Sequence, residues 1–134
     1  MPDTSNLETV KAVYAAFHRG DLPGVVGFWS DEGTLEYHGP EAFPFAGTWR
    51  GRAGAQEWIT LVATTIEFQA LESREYYAQG DTVVVLGYEK GTIRRTGRVY
   101  EREWVHVFTL RDGAIVRHRL YGDTTAVTAA LEGV

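Results

Sequence analysis

The stretch EREWVHVFTLRDGAIVRHRLYGD, Glu101 to Asp123, sets two runs of β-branched and aromatic residues on either side of Asp112-Gly113. That dipeptide tolerates the positive φ of a two-residue hairpin turn, so the stretch predicts a long antiparallel hairpin. Counting outward from a pairing of Arg111 with Ala114 sets His106 opposite Arg119, Trp104 opposite Tyr121 and Arg102 opposite Asp123. Side chains alternate faces with period two, so all of these share one face, together with Phe108, Leu110, Ile115 and Arg117. The other face carries Val105, Val107, Val116 and Leu120, interrupted by Glu103 and His118. A face mixing Trp, His, Tyr, Arg and Asp is costly to bury dry, because each polar group needs a partner. It reads as the wall of a pocket. A bulge near the turn would slip one strand by a residue and send Asp123 to the opposite face from His106.

Working outward, the second half of the chain is a meander: strands over Phe68–Ala78, Thr82–Arg94, Arg98–Leu110 and Ala114–Tyr121, separated at Gly80-Asp81, Thr96-Gly97 and Asp112-Gly113. With Thr96-Gly97 as a two-residue turn, Gly87 falls beside His106, Glu89 beside Trp104 and Gly91 beside Arg102. The first half is helical. Ser5-Asn6-Leu7-Glu8 has the form of a capping box, and Leu7, Val10, Val13, Tyr14 and Phe17 recur at helical spacing before Gly20. Asp21 and Pro23 open a short second helix with Val25, Val26, Phe28 and Trp29 on its buried side. Thr34–His38 reads as a short strand and Gly39–Gly54 as a long loop of the kind that serves as a lid. A third helix is predicted from Ala53 to about Ile66, and Thr124–Leu131 forms a last helical segment with Asp123 as its N-cap. No repeat or boundary divides residues 1–134, so a single domain is expected.

Composition narrows the function. The 134 residues carry 13 Lys and Arg against 18 Asp and Glu, a net charge of −5, which argues against a nucleic-acid partner. There are no cysteines, hence no disulfide framework and no thiolate nucleophile or zinc-thiolate site. The N-terminus has no basic and apolar leader, and no window reaches the length of a membrane span, so a cytoplasmic protein is expected. Four Trp, seven Tyr and six Phe exceed what a small core needs to close, so some should line a cavity. His18, His38 and His118 share no spacing with carboxylates that suits a metal, and GTWRGRAG lacks the lysine of a phosphate loop. Neither metal nor cofactor is expected.

The order of elements, the phrase GDLPGVVGFWSDEGTLEYHG, the segment FAGTWRGRAGAQEWI and above all EWVHVFTLRDGAIVRHRLYGD resemble the SnoaL-like branch of the NTF2-like superfamily. That superfamily includes ketosteroid isomerases, polyketide cyclases and limonene epoxide hydrolases. The resemblance implies an α+β cone, with three N-terminal helices packed on a curved antiparallel sheet. It also implies a pocket ringed by Tyr14, His106 and Asp123, in which the aspartate is acid and base on a carbon next to carbonyls. Two departures stand out: Glu101-Arg102-Glu103 does not match the epoxide hydrolase arrangement of an arginine between two aspartates, and the steroid isomerase's pairing of a tyrosine with a protonated aspartic acid is not recognisable.

The expected catalytic residues are therefore Asp123, His106 and Arg119, with Tyr14, Trp29, Trp104, Glu89 and Tyr121 in contact with a small apolar molecule. Each has a plainer use as well. Asp123 caps the last helix, Glu89 pairs with Arg102, and Trp29 is core. Two functions stay open: an isomerase or cyclase that moves protons on a small apolar carbonyl or polycyclic substrate, and a binding or assembly module of the same fold. The valine-rich outer face predicts a homodimer.

Overall fold

The structure is a computed structural model that describes residues 2–40 and 43–132. Its elements are α1 (Pro2–His18), α2 (Leu22–Val26), β1 (Trp29–Tyr37), β2 (Gly47–Arg50), α3 (Gly51–Thr65), β3 (Ile66–Gln79), β4 (Thr82–Ile93), β5 (Val99–Arg111), β6 (Ala114–Gly122) and α4 (Thr124–Glu132). Strands β3 to β6 form the predicted meander. With β1 and β2 they make one curved, unclosed sheet of six strands in the order β2-β1-β6-β5-β4-β3. The sheet is not wholly antiparallel, because β1 runs parallel to β6. This is an α+β fold, with a fourth helix beyond the three expected N-terminal ones.

Local chemistry accounts for most element ends. Helix α1 already runs from Pro2, ahead of the expected capping box. Ser5 lies inside that helix, where its carbonyl accepts from the Thr9 hydroxyl. Asn6 instead ties α1 to the β3–β4 turn by donating to the Gly80 carbonyl at 3.3 Å. Asp21 caps α2 as read, accepting from the Gly24 N–H at 3.0 Å. The helix ends at Val26, and Trp29 opens β1, five residues before the strand expected from Thr34. The expected Gly39–Gly54 loop is shorter than read, because Gly47–Arg50 pairs antiparallel with β1 and α3 begins at Gly51. Phe43 and Phe45, ahead of β2, are buried.

Two turns decide which residues meet. At Asp112 and Gly113 φ is 53° and 79°, the positive values a two-residue hairpin turn requires, and Arg111 pairs with Ala114 as counted. Past Leu110 and Ile115 the ladder slips: Thr109 pairs with Arg117, leaving Val116 as the extra residue of a bulge. From there His106 faces Leu120, Phe108 faces His118 and Trp104 faces Gly122. Between β4 and β5 the turn spans Arg94–Gly97, closed by Ile93 N–H donating to the Arg98 carbonyl and Gly97 N–H to the Ile93 carbonyl, each at 2.8 Å. The longer turn shifts the count by two and preserves the faces: Val85 faces His106, Gly87 faces Trp104, Glu89 faces Arg102 and Gly91 faces Tyr100.

The concave face, under α1 and α3, holds the core. Val83, Val85, Phe108, Leu110 and Ile115 are all 1% exposed or less. The outer face carries Val84, Leu86, Val105 and Val107, each partly buried, with Val99 and Tyr121 exposed. Leu120, expected on that face, is on the concave side because of the bulge. Helix α4 sits beyond the β4–β5 turn, where the Thr96 hydroxyl donates to the Ala130 carbonyl at 2.8 Å and the Arg95 guanidinium to that of Leu131.

Candidate active site

A mainly apolar cavity lies between the concave face and the helices. Val13 and Phe17 of α1, Ile59 and Val62 of α3, and Phe68 and Leu71 of β3 supply much of its wall. Apolar walls with a few placed polar groups are the usual composition of a small-molecule site. Here the polar groups fall into two clusters.

The first is built on α1 and β5. Tyr14 projects from the buried stripe of α1, and its hydroxyl lies 2.7 Å from His106 Nδ1. A phenol that stays protonated is a donor, and burial, followed by the nearby Tyr76, holds the Tyr14 pKa well above its ordinary value. Burial also drives the His106 pKa well below its ordinary value, with His118 and Arg102 adding to the effect. The imidazole is thus neutral and paired through Nδ1 with the Tyr14 hydroxyl, accepting from it in the tautomer that carries its proton on Nε2. The ring is fixed from the sides as well. Trp104 stacks on it at 3.9 Å between centroids, and Tyr14 lies nearly parallel to it at 6.0 Å. His118 meets it edge-on at 5.2 Å. His118 is 4% exposed, packs flat on Phe108 at 4.0 Å, and is held neutral by burial, its pKa lowered to about 3.

The second cluster joins β1, β4 and β5. Glu89 and Arg102 face each other across the ladder, and Arg102 Nη2 lies 3.4 Å from Glu89 Oε1. The same nitrogen donates to the Tyr37 hydroxyl, while Nη1 donates to the Asp123 backbone carbonyl at 3.4 Å. Tyr100 donates to the other Glu89 oxygen at 2.6 Å. Burial, then the Glu89 charge, raises the Tyr100 pKa far out of the working range, so this phenol remains a donor. Such a network satisfies the carboxylate from two sides, as a buried charge requires. Both clusters contribute to the cavity wall through Tyr14, His106, His118, Tyr37, Glu89 and Arg102.

Of the residues expected to form the site, Tyr14, His106, Glu89 and Trp29 line the cavity, and Trp104 supports it by stacking on His106. Arg119, Tyr121 and Asp123 do not. The bulge at Val116 turns Arg119 and Tyr121 to the outer face, opposite Val107 and Val105. Asp123 is exposed beyond the end of β6, and its Oδ1 accepts from the Thr125 N–H at 2.9 Å, the capping use. The bulge also carries His118 inward from the outer face on which the regular count had placed it. Tyr37 and Tyr100 escaped the reading as well. For Tyr37 a signal existed, since Leu35 and Tyr37 alternate with Thr34 and Glu36 along β1.

Residues 10–118 match the family model described as a SnoaL-like domain. The chain belongs to the SnoaL-like domain family. Among its relatives, YesE of Bacillus subtilis strain 168, an uncharacterized protein, is 25% identical over 129 residues, covering 94% of this chain and 86% of YesE. An NTF2-like protein of Burkholderia xenovorans LB400 is 31% identical, with 96% of both chains covered and a TM-score of 0.86. TerC, co-crystallized with polyporic acid, is 32% identical, with 96% of this chain and 98% of TerC covered and a TM-score of 0.84. Among the described residues of this SnoaL-like protein, no three His, Asp or Glu side chains are grouped so as to hold a metal ion, and no helix is long and apolar enough to cross a membrane.

Proposed function

We propose that this SnoaL-like protein is a cofactor-independent isomerase or cyclase, which moves a proton on a small, largely apolar carbonyl or polycyclic compound held in the cavity. The observation that carries the reading is the neutral imidazole of His106, pinned through Nδ1 by Tyr14 and set in an apolar wall. With Tyr14 donating to Nδ1, the Nε2–H is free to donate to a carbonyl oxygen as it gains charge. In the other neutral tautomer, with Nδ1–H donating to the Tyr14 oxygen, Nε2 takes a proton from the adjacent carbon, and the imidazolium so formed returns it from Nε2 to the product. One residue thereby serves as acid and base.

The co-crystal of TerC with polyporic acid supports a small-molecule role for this cavity. The spacing of the two polar clusters suits a polycyclic compound. The pairs Val85 with His106 and Glu89 with Arg102 lie four residues apart on one ladder, roughly 13 Å along the strands. A binding module is the second reading, and it draws on one observation: Asp123, expected as the acid/base, is engaged as a helix cap outside the cavity. A homodimer formed through the outer face, with Val105 and Val107 at its centre, completes the proposal.

A thermal-shift screen of aromatic polyketide-like, steroid and small β-dicarbonyl compounds tests the site first, since a ligand bound only by the folded state raises the unfolding temperature. Turnover of each hit by wild type and His106→Gln then separates the readings. An enzyme loses roughly two to four orders of magnitude in rate with that change. Binding without turnover by the wild type favours the module.

A further inference from the structure

The proposed chemistry passes through an imidazolium at His106, and a histidine that gains a proton inside a protein is commonly steadied by a carboxylate, as in a catalytic triad. His106 has no such partner. Among the described residues the histidine paired with a carboxylate is His38, 3.9 Å from Glu36. Asp123, expected beside His106, caps α4 outside the cavity. The charge-bearing groups that act on His106 are His118 and Arg102, and both oppose a proton there. What faces the ring is apolar or aromatic instead. Val85 lies opposite on β4, the Phe108 and His118 rings stand at 74° and 81° to it, and the Tyr14 hydroxyl holds Nδ1. Trp104 alone covers a face of the ring closely, with 3.9 Å between centroids and 17° between planes, nearer than the roughly 4.5–7 Å of ordinary aromatic pairs. The indole is 2% exposed and fills the space left by Gly87, where a Cβ would collide with it.

We infer that Trp104 is a positioning residue of the proposed reaction that takes the place of a carboxylate, its indole face stabilising the His106 imidazolium formed when a proton leaves the substrate carbon. This rests on the proposed proton transfer and deepens it. The negative face of an indole attracts a cation within about 6 Å of the ring centre, more strongly than a phenyl or phenol ring does, and most where water is excluded. In the balanced step the C–H electron pair stays on the substrate as an enolate and the proton goes to Nε2, while Nδ1–H donates to the Tyr14 oxygen. The same proton then returns from Nε2 to the product. The charge on the ring exists only between those two events, and a neutral imidazole gains little from the face of an indole. The stack therefore favours the transition state over the ground state, which raises turnover and leaves affinity alone.

The experiment places mono-, di- and tetrafluorotryptophan at position 104 alone, a series that drains the negative face of the ring while nearly keeping its shape. Deuterium uptake at the acidic carbon of 2-tetralone, a small apolar ketone, is followed by proton NMR in D2O. Turnover should fall stepwise with fluorination to a loss of about twofold to thirtyfold in the tetrafluoro protein, the range spanned by a cation over a ring, with KM within about twofold of wild type. Trp104→Phe should fall inside the series and Trp104→Leu below it, and the fluorinated proteins keep the test independent of whether Trp104→Leu folds. Tetrafluorotryptophan in place of Trp49, which does not line the cavity, should leave turnover unchanged. A Trp104 that only packs gives a flat series. A flat series, or one in which KM alone moves, overturns the inference and leaves the proton-transfer reading standing. Failure of the wild type to accelerate the exchange overturns that reading itself, and this inference with it.

Discussion

Arg102 is the side chain on which most of the cavity's charge balance depends. It is 8% exposed and faces the Glu89 carboxylate, which is 6% exposed. Arg102→Ala leaves that carboxylate in an apolar wall with Tyr100 as its remaining donor, and removing one partner of a buried pair costs about 3–5 kcal/mol. Urea denaturation should show a loss of that size, and replacing Glu89 and Arg102 together by Leu and Met should recover most of it. The two buried histidines, His106 and His118, set the acid limit. Their folded pKa values lie below the unfolded value near 6.5, so below that pH the unfolded chain binds more protons than the folded one. Stability present above pH 6.5 is lost as pH falls toward about 3, the depressed value of His118, at up to about 1.4 kcal/mol per pH unit for each histidine. Denaturation midpoints between pH 7 and 4 should trace this slope, and His118→Phe should flatten it. At this scale the sequence was partly legible. The pairing of Glu89 with Arg102 could be read because complementary charges on one sheet face seek each other even when the turn is miscounted. The inward position of His118 could not.

The four strands of the meander, by contrast, were legible almost throughout, because period-two patterning and turn residues mark a meander plainly, whereas β2 was read as loop and β1 as a shorter strand. Their register was not. Arg94–Gly97 makes a four-residue turn where Thr96-Gly97 suggested two, an error that preserved every face. The bulge at Val116 did not preserve them, and no glycine at positions 115–117 announces it. One extra residue in β6 exchanged Arg119, Tyr121 and Asp123 for His118 and Leu120 as neighbours of the cavity. The β4–β5 ladder carries its own constraint. A Cβ on Gly87 would overlap both the Trp104 indole and the Glu72 backbone carbonyl, the latter unable to swing aside. Gly87→Ala should therefore cost about 1–3 kcal/mol and weaken ligand binding, because the displaced indole is the one stacked on His106. Alanine tolerated there with unchanged melting temperature and affinity would contradict the packing described for Trp104.

For the whole molecule, the fold was legible from the order of elements and the family's phrases, and the site only in outline, since a cone places its concave residues together whatever their chemistry. The outer face of β4 and β5 remains to be accounted for, and light scattering at micromolar concentration should return the mass of a dimer. Leu86→Lys with Val107→Lys should return that of a monomer without unfolding it. The proton-transfer claim is tested most directly by deuterium exchange at the acidic carbon of a bound β-dicarbonyl compound, followed by proton NMR in D2O. Wild type should accelerate the exchange, His106→Gln should slow it by roughly two to four orders of magnitude, and Asp123→Asn should stay within about twofold of wild type. Exchange by His106→Gln at the wild-type rate would contradict the account, and a collapse in Asp123→Asn alone would return the acid/base role to the residue that the bulge and the helix cap keep outside the cavity.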